Sequence, residues 1–306
     1  MPLIVATYVC HAARLQRRTG SARTSLGPIN LKYVDDLTVA EVVKMKTQLK
    51  SVPIIERPLP DNFHDRTGHV LKPEDSKVYK QLLQTEQYAM ENGMRLNYKK
   101  TKLILFNPGT SRDFMPKFSI DNNNIDLVEE TKLLGVVVRS DLSWSSNTQY
   151  IADRANSKLW ILRRLKKLGA DDDDLKDIYT KQVRSILEFA VPVWHSSLTG
   201  LDRLKIERIQ KSAMYIILGD KYKSYTSALK CLQLDSLFTR RQKQCKTFAR
   251  KCSKNVKFEK WFKRNEKKTG TRLVQPRFTN VHCRLVRFER SPISYMTEIL
   301  NRMKNL

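Results

Sequence analysis

Acidic residues are scarce in this chain: 31 Asp and Glu stand against 57 Lys and Arg in 306 residues, for a formal net charge of +26. Residues 1–34 contain none at all. Cysteine is sparse and odd in number (Cys10, Cys231, Cys245, Cys252 and Cys283), which excludes a secreted disulfide framework and fits a reducing compartment. No two of these cysteines stand at the two-to-four-residue separation that structural zinc favours, so they read as ordinary thiols. No run approaches the roughly 18 apolar residues that a membrane span needs. Nor does a basic segment precede the apolar Leu3–Val5, as a secretory signal would require. Residues 1–27 therefore read as an unstructured leader, in preference to a mitochondrial transit peptide, and the expected location is intracellular, in nucleus or cytoplasm.

What is abundant is positive charge, unevenly placed. Residues 1–150 hold 21 Lys and Arg against 16 Asp and Glu; residues 151–306 hold 36 against 15. Such an excess speaks to partners rather than fold, and polyanions are the natural ones, nucleic acid first and anionic membrane second. The 41% hydrophobic content is enough for a real core.

The stretch Leu31–Val39, LKYVDDLTV, sets two adjacent aspartates inside an apolar run and reads as strand, acidic tip, strand. Residues 51–76, with four prolines, read as a long surface loop. A helix is expected from Lys77 to Gly93, a strand over Lys102–Phe106, a polar turn at Asp121–Asn124, and a strand through TKLLGVVVRSDLSW in which Gly135 marks a bulge or a close backbone approach. Beyond Thr148 the pattern is helical: Ile151, Ala155, Leu159, Leu162 and Leu165 form one stripe. A second helix opens at ADDDDLKDIYTKQVRSILEFAVPVW. A third carries Leu201, Leu204, Ile209, Ala213, Ile216 and Ile217.

Neighbouring aspartates at a hairpin tip favour a turn, but they also offer the hard oxygen ligands that Mg²⁺ prefers. The order of segments decides between the two. Tyr33-Val34-Asp35-Asp36 resembles the Y-x-D-D motif of reverse transcriptases. It is followed by a helix ending ENG, by MRLNYKKTKLILF, by ETKLLGVVVRSDLSW, and by helices containing LEFAVPVWHSSL and LDRLKIERIQKSA. That succession resembles the later part of the polymerase of non-LTR (LINE-type) retrotransposons, over about residues 29–240. The resemblance implies an α+β fold: an incomplete palm over 28–138 (β-hairpin, helix and strands), a mainly α-helical thumb-like region over 139–238, and a basic C-terminal region over 239–306. It implies that Asp35 and Asp36 bind Mg²⁺, that Tyr33 and Val34 lie near the primer end and the incoming dNTP, and that Lys100 assists the leaving pyrophosphate. The partners implied are an RNA template and a DNA primer. The segment around Leu133–Val138 would match the primer-grip hairpin.

The departure from that family is the missing third carboxylate. A two-metal centre uses a further aspartate to bridge both ions, and residues 1–34 have none to give. The chain is thus expected to be a fragment of an RNA-directed DNA polymerase, cut off just before its last catalytic hairpin and inactive alone. Mg²⁺-dependent primer extension lost in Asp35→Asn would contradict that. The alternative is a non-catalytic, basic nucleic-acid-binding protein that reuses thumb-like helices. In both, Arg163, Arg164, Lys166, Lys167, Arg240, Arg241, Lys260 and Lys263 are candidate phosphate contacts. Trp261, flanked by Lys260 and Lys263 with Phe258 and Phe262 nearby, reads equally as a base-stacking ring or as local packing. The run Asp171–Asp174 reads as a helix N-terminus rather than a metal site. Trp144, Trp160 and Trp194 read as core, and His195 as a packed or surface histidine.

Overall fold

The computed structural model describes residues 3–11, 29–33, 36–45, 77–94, 96–106, 118–120, 123–265, 277–279 and 286–303. The loop read over 51–76 lies outside them, as do Val34 and Asp35. The chain divides into two compact units, Met1–Leu142 and Ser143–Leu306. The first outlasts the expected palm boundary at 138, because Val138 and Leu142 pack on Ile104 and Phe106.

The first unit is built on a five-stranded mixed sheet in the order β2-β3-β1-β4-β7. Its strands are β1 (Leu3–His11), β2 (Ile29–Tyr33), β3 (Asp36–Met45), β4 (Lys102–Phe106) and β7 (Asp126–Val128). The expectation of an unstructured leader fails over Leu3–His11. LIVATYVCH is a continuous run rich in apolar and β-branched residues, which is what a strand paired on both sides requires. β1 pairs in parallel with β3 from Leu3↔Leu37 to His11↔Met45, and with β4 from Ile4↔Lys102 to Tyr8↔Phe106. Parallel neighbours need a crossover, and α1 (Lys77–Glu91) lies between β3 and β4. Its apolar face, Val78 and Leu82, closes on Leu103, Phe118 and Ile125. Asn92-Gly93 stops it as expected: Gly93 takes φ +66°, and Met94 N–H donates to the Ala89 carbonyl at 2.7 Å.

Two small hairpins complete this unit, β5 (Ser119–Ile120) with β6 (Asn123–Asn124), and β8 (Glu130–Leu133) with β9 (Val136–Arg139). The second corrects the single strand expected through Gly135. Leu134 and Gly135 both have positive φ, 47° and 87°. That is the two-residue turn whose twist matches paired antiparallel strands, so the run folds back rather than continuing.

The second unit is helical. Its elements are α2 (Ser145–Lys167), α3 (Asp172–Ile178), α4 (Ser185–Leu187), α5 (Val191–Trp194), α6 (Gly200–Leu218), α7 (Tyr225–Cys231), α8 (Leu237–Ser253), α9 (Val286–Glu289) and α10 (Pro292–Arg302). α2 buries Ile151, Ala155, Leu159 and Leu162, the expected stripe. α3 begins as its acidic run implied: Asp171 caps it, accepting from Asp174 N–H at 2.8 Å, and Asp172–Asp174 fill the first turn. The helix expected to run on through Trp194 is instead broken. A π-helical turn spans Tyr179–Arg184, and Ala190 sits in the left-handed region at φ 52° just before α5. Pro192 near the α5 start lacks the N–H that would continue an unbroken ladder. In α6 the buried face is Ile206, Ile209, Ala213 and Ile217, while Leu201 and Leu204 are exposed. Leu204 lies about 200° round the helix from Ile206, which puts it on the opposite side. A satellite core of Ala249, Cys252, Phe262, Phe278, Met296 and Leu300 joins α8 to α10. Burial pushes the Cys245 thiol of α8 up to about 12.

Among the described residues no helix is long and apolar enough to cross a membrane.

Candidate nucleic-acid interface

The acidic hairpin comes first. β2 and β3 pair antiparallel from Ile29↔Ala40 to Tyr33↔Asp36, so Asp36 opens β3 directly opposite Tyr33. Val34 and Asp35, which stand between them, lie outside the described residues. β1, β3 and β4 are mutually parallel, so their first residues share one end of the sheet. Lys100, in the turn before β4, therefore belongs to the same end as Asp36. With neighbouring strands about 4.8 Å apart, β3 and β4 stand about 10 Å apart. The register thus gathers Asp36 and Lys100 at one sheet end.

It does not complete a metal centre. The strand between β3 and β4 is β1, and Leu3–His11 carries no acid. Among the described residues, a further carboxylate at this end is Asp126, which opens β7, one more strand away. It is paired with Lys102, Nζ to Oδ2, at 2.6 Å. Three strand spacings from β3 make about 14 Å, too far to bridge ions that sit about 4 Å apart. Among the described residues no group of three or more His, Cys, Asp or Glu gathers in a way that could hold a metal ion. The Asp35-Asp36 pair therefore does not fit a two-metal centre with the described strands alone.

The helical unit sorts its cations into two kinds. Lys166 is structural: its Nζ donates to Asp172 Oδ1 at 2.9 Å and to the Ile217 carbonyl at 2.6 Å, tying the end of α2 to α3 and α6. Lys221 completes that cluster on Asp172 Oδ2 at 2.8 Å, and the two ammonium groups hold the Asp172 carboxyl below its usual range. Arg240 is also structural. Its guanidinium grips both carboxylate oxygens of half-buried Glu188, and Gln244 Nε2 donates to Glu188 Oε2 at 3.0 Å. Arg241 is fully buried at 0% exposure, with Glu207 Oε2 at 3.9 Å, and burial lowers its pKa. The expectation that Lys166, Arg240 and Arg241 contact phosphate is therefore corrected. Each is committed to an internal carboxylate or hidden from solvent, because helix packing needed a cation there.

Arg163, Arg164 and Lys167 are different. All three are exposed, and their charged heads make no ion pair or hydrogen bond with any described residue. With Trp160 they recur at helical spacings of three and four, so they line one side of α2. Trp160 is 65% exposed, against the expectation that it is core; Trp144 and Trp194 are buried as expected. α6 runs parallel to α2, since Lys205 Nζ donates to Gln149 Oε1 at one end and Lys166 Nζ to the Ile217 carbonyl at the other. It contributes Lys211 and the 61%-exposed Tyr215. Between the helices lies an open groove of about 580 Å³ lined by Arg163, Lys211, Ser212, Tyr215, Ile216, Gly219 and Tyr222. No carboxylate lines it. Sequence reasoning found the α2 cations but missed Trp160, Lys211 and Tyr215. The signal was available: Trp160 falls in step with Arg163 and Lys167, outside the stripe of Leu159 and Leu162.

Further along the chain, Lys260 and Lys263 are exposed on either side of Trp261. Trp261 is 38% exposed and packs on Phe258, centroids 4.7 Å apart, and on Phe262 at 6.5 Å. It borders the satellite core while keeping part of its ring in solvent. His195 is buried, with Phe238 and Tyr295 as ring neighbours at 6.0 and 5.7 Å.

No protein-family model, no curated protein and no solved structure matches the chain.

Proposed function

We propose that this chain binds nucleic acid through its helical unit, without regard to base sequence, as a protein related to a retroelement reverse transcriptase. The observation that carries the reading is a cluster: Arg163, Arg164, Lys167 and Lys211 are exposed on α2 and α6, near the exposed rings of Trp160 and Tyr215. Cations crowded on one side of a helix repel one another, and a phosphate backbone relieves both their charge and their crowding.

Two forms of the reading differ at the hairpin. In one, Asp35 and Asp36 bind Mg²⁺ for RNA-templated synthesis on a DNA primer, with Lys100 at the leaving group. In that form a carboxylate from outside the described residues must complete the site. In the other the chain is a non-catalytic binding protein. The absence of acid from β1 and the distance of Asp126 favour the second for this chain acting alone.

The test is the triple variant Arg163→Ala, Arg164→Ala, Lys167→Ala in the full chain. These side chains are exposed, so the fold is expected to hold. Affinity for oligonucleotides of unrelated sequence should fall together by about a hundredfold, at roughly 1 kcal/mol per lost charged contact. An unchanged affinity, or a loss confined to one sequence, would sink the proposal.

A further inference from the structure

The groove between α2 and α6 has a feature that phosphate binding does not use. Each helix supplies the groove with one cation, Arg163 from α2 and Lys211 from α6, and the Tyr215 ring stands one turn beyond Lys211. Tyr215 and Tyr222 meet edge to face, centroids 5.5 Å apart and ring planes at 75°. That contact holds the Tyr215 ring in place while leaving 61% of the residue exposed, so little freedom is lost when something lies on it. The ring thus stands ready beside two cations, and no carboxylate is among the residues that line the groove.

A duplex has no use for this ring. Its bases are stacked on one another, and its phosphates would be served by the cations alone. In a single strand the base faces are free, and stacking on an aromatic ring is indifferent to sequence because every base has a π-face. We infer that the α2–α6 groove is a single-strand site, in which Tyr215 stacks a base while Arg163 and Lys211 hold the neighbouring phosphates. This rests on the nucleic-acid reading above and names the strand state it selects. Anionic lipid would satisfy the two cations but would leave the Tyr215 ring without a stacking partner, which is why single-stranded nucleic acid is the occupant chosen.

The experiment compares the full chain and its variants on one single-stranded oligonucleotide and on the blunt duplex of the same sequence, by fluorescence anisotropy. Tyr215→Leu should weaken single-strand binding by about tenfold or more, in line with the ~1–3 kcal/mol measured per stacked base, and leave duplex binding within about twofold. Tyr215→Phe, which keeps the ring, should retain single-strand affinity. Arg163→Ala should weaken both. If Tyr215→Leu weakens both equally or neither, the single-strand site is wrong while the binding function stands. If the unaltered chain binds neither oligonucleotide, both fall.

Discussion

Glu207→Gln is expected to destabilise the helical unit by about 3–5 kcal/mol, the usual cost of stranding a buried charge. Glu207 joins three elements. Its Oε1 accepts from the Tyr225 hydroxyl at 2.7 Å and from the Leu237 N–H at 3.0 Å, and its Oε2 faces Arg241 at 3.9 Å. The amide keeps an oxygen for the first two bonds and removes only the charge. Arg241 then sits buried with Glu188, already bonded to Arg240, as the carboxylate left near enough to act on it, and none of its three guanidinium nitrogens has a hydrogen-bond partner to compensate. The companion Arg241→Met should cost far less, and added to Glu207→Gln it should restore most of the loss, because it removes the stranded charge. Chemical denaturation of the four proteins reads the cycle. If Arg241→Met alone costs as much as Glu207→Gln, Arg241 is held by bonds of its own and the reasoning fails.

The second large effect is acid sensitivity set by His195. Burial, with the nearby charges of Arg241 and Arg203 adding to it, pushes its imidazole down to about 4. In an unfolded chain it titrates near 6.5. The unfolded state therefore takes up the proton first as pH falls, so the stability that depends on a neutral His195 is complete above about 6.5 and is lost progressively down to about 4. The difference corresponds to about 3 kcal/mol. His195→Phe, matched to the aromatic neighbours Phe238 and Tyr295, should flatten this part of the profile. Denaturant midpoints at pH 7.0 and 4.5 decide it. The loss on acidification should be clearly larger for the unaltered chain than for the variant, and equal losses would show that His195 contributes nothing to it.

Local signals in the sequence gave good local structure. The strand Lys102–Phe106, the α1 stop at Asn92-Gly93 and the cap at Asp171 were all legible, because each depends on a few residues whose chemistry is short-ranged. The strand Leu3–His11 was not. Its apolar run is ambiguous until β3 and β4 exist to flank it, and those partners lie tens of residues away. The turn at Leu134-Gly135 was misread because a glycine within an apolar run serves either a bulge or a reversal, and the flanking pairing chooses. The cations divided for a similar reason. Lys166 and Lys167 are neighbours in sequence, yet one is bonded to Asp172 and Ile217 and the other is free in solvent, a difference set by the 100° between them on α2. For the candidate site, the α2 cations could be read in advance, while Lys211 and Tyr215 needed the parallel packing of α6 to become their neighbours.

The central claim is that phosphate contacts from the helical unit dominate binding. Its most direct test is the affinity of the full chain for a single-stranded oligonucleotide across a range of salt concentrations. With four cations engaged, a plot of log affinity against log salt should fall with a slope of about −3, and the triple variant should flatten that slope to about −1. An affinity that does not change with salt, or a slope the triple variant leaves untouched, would contradict it.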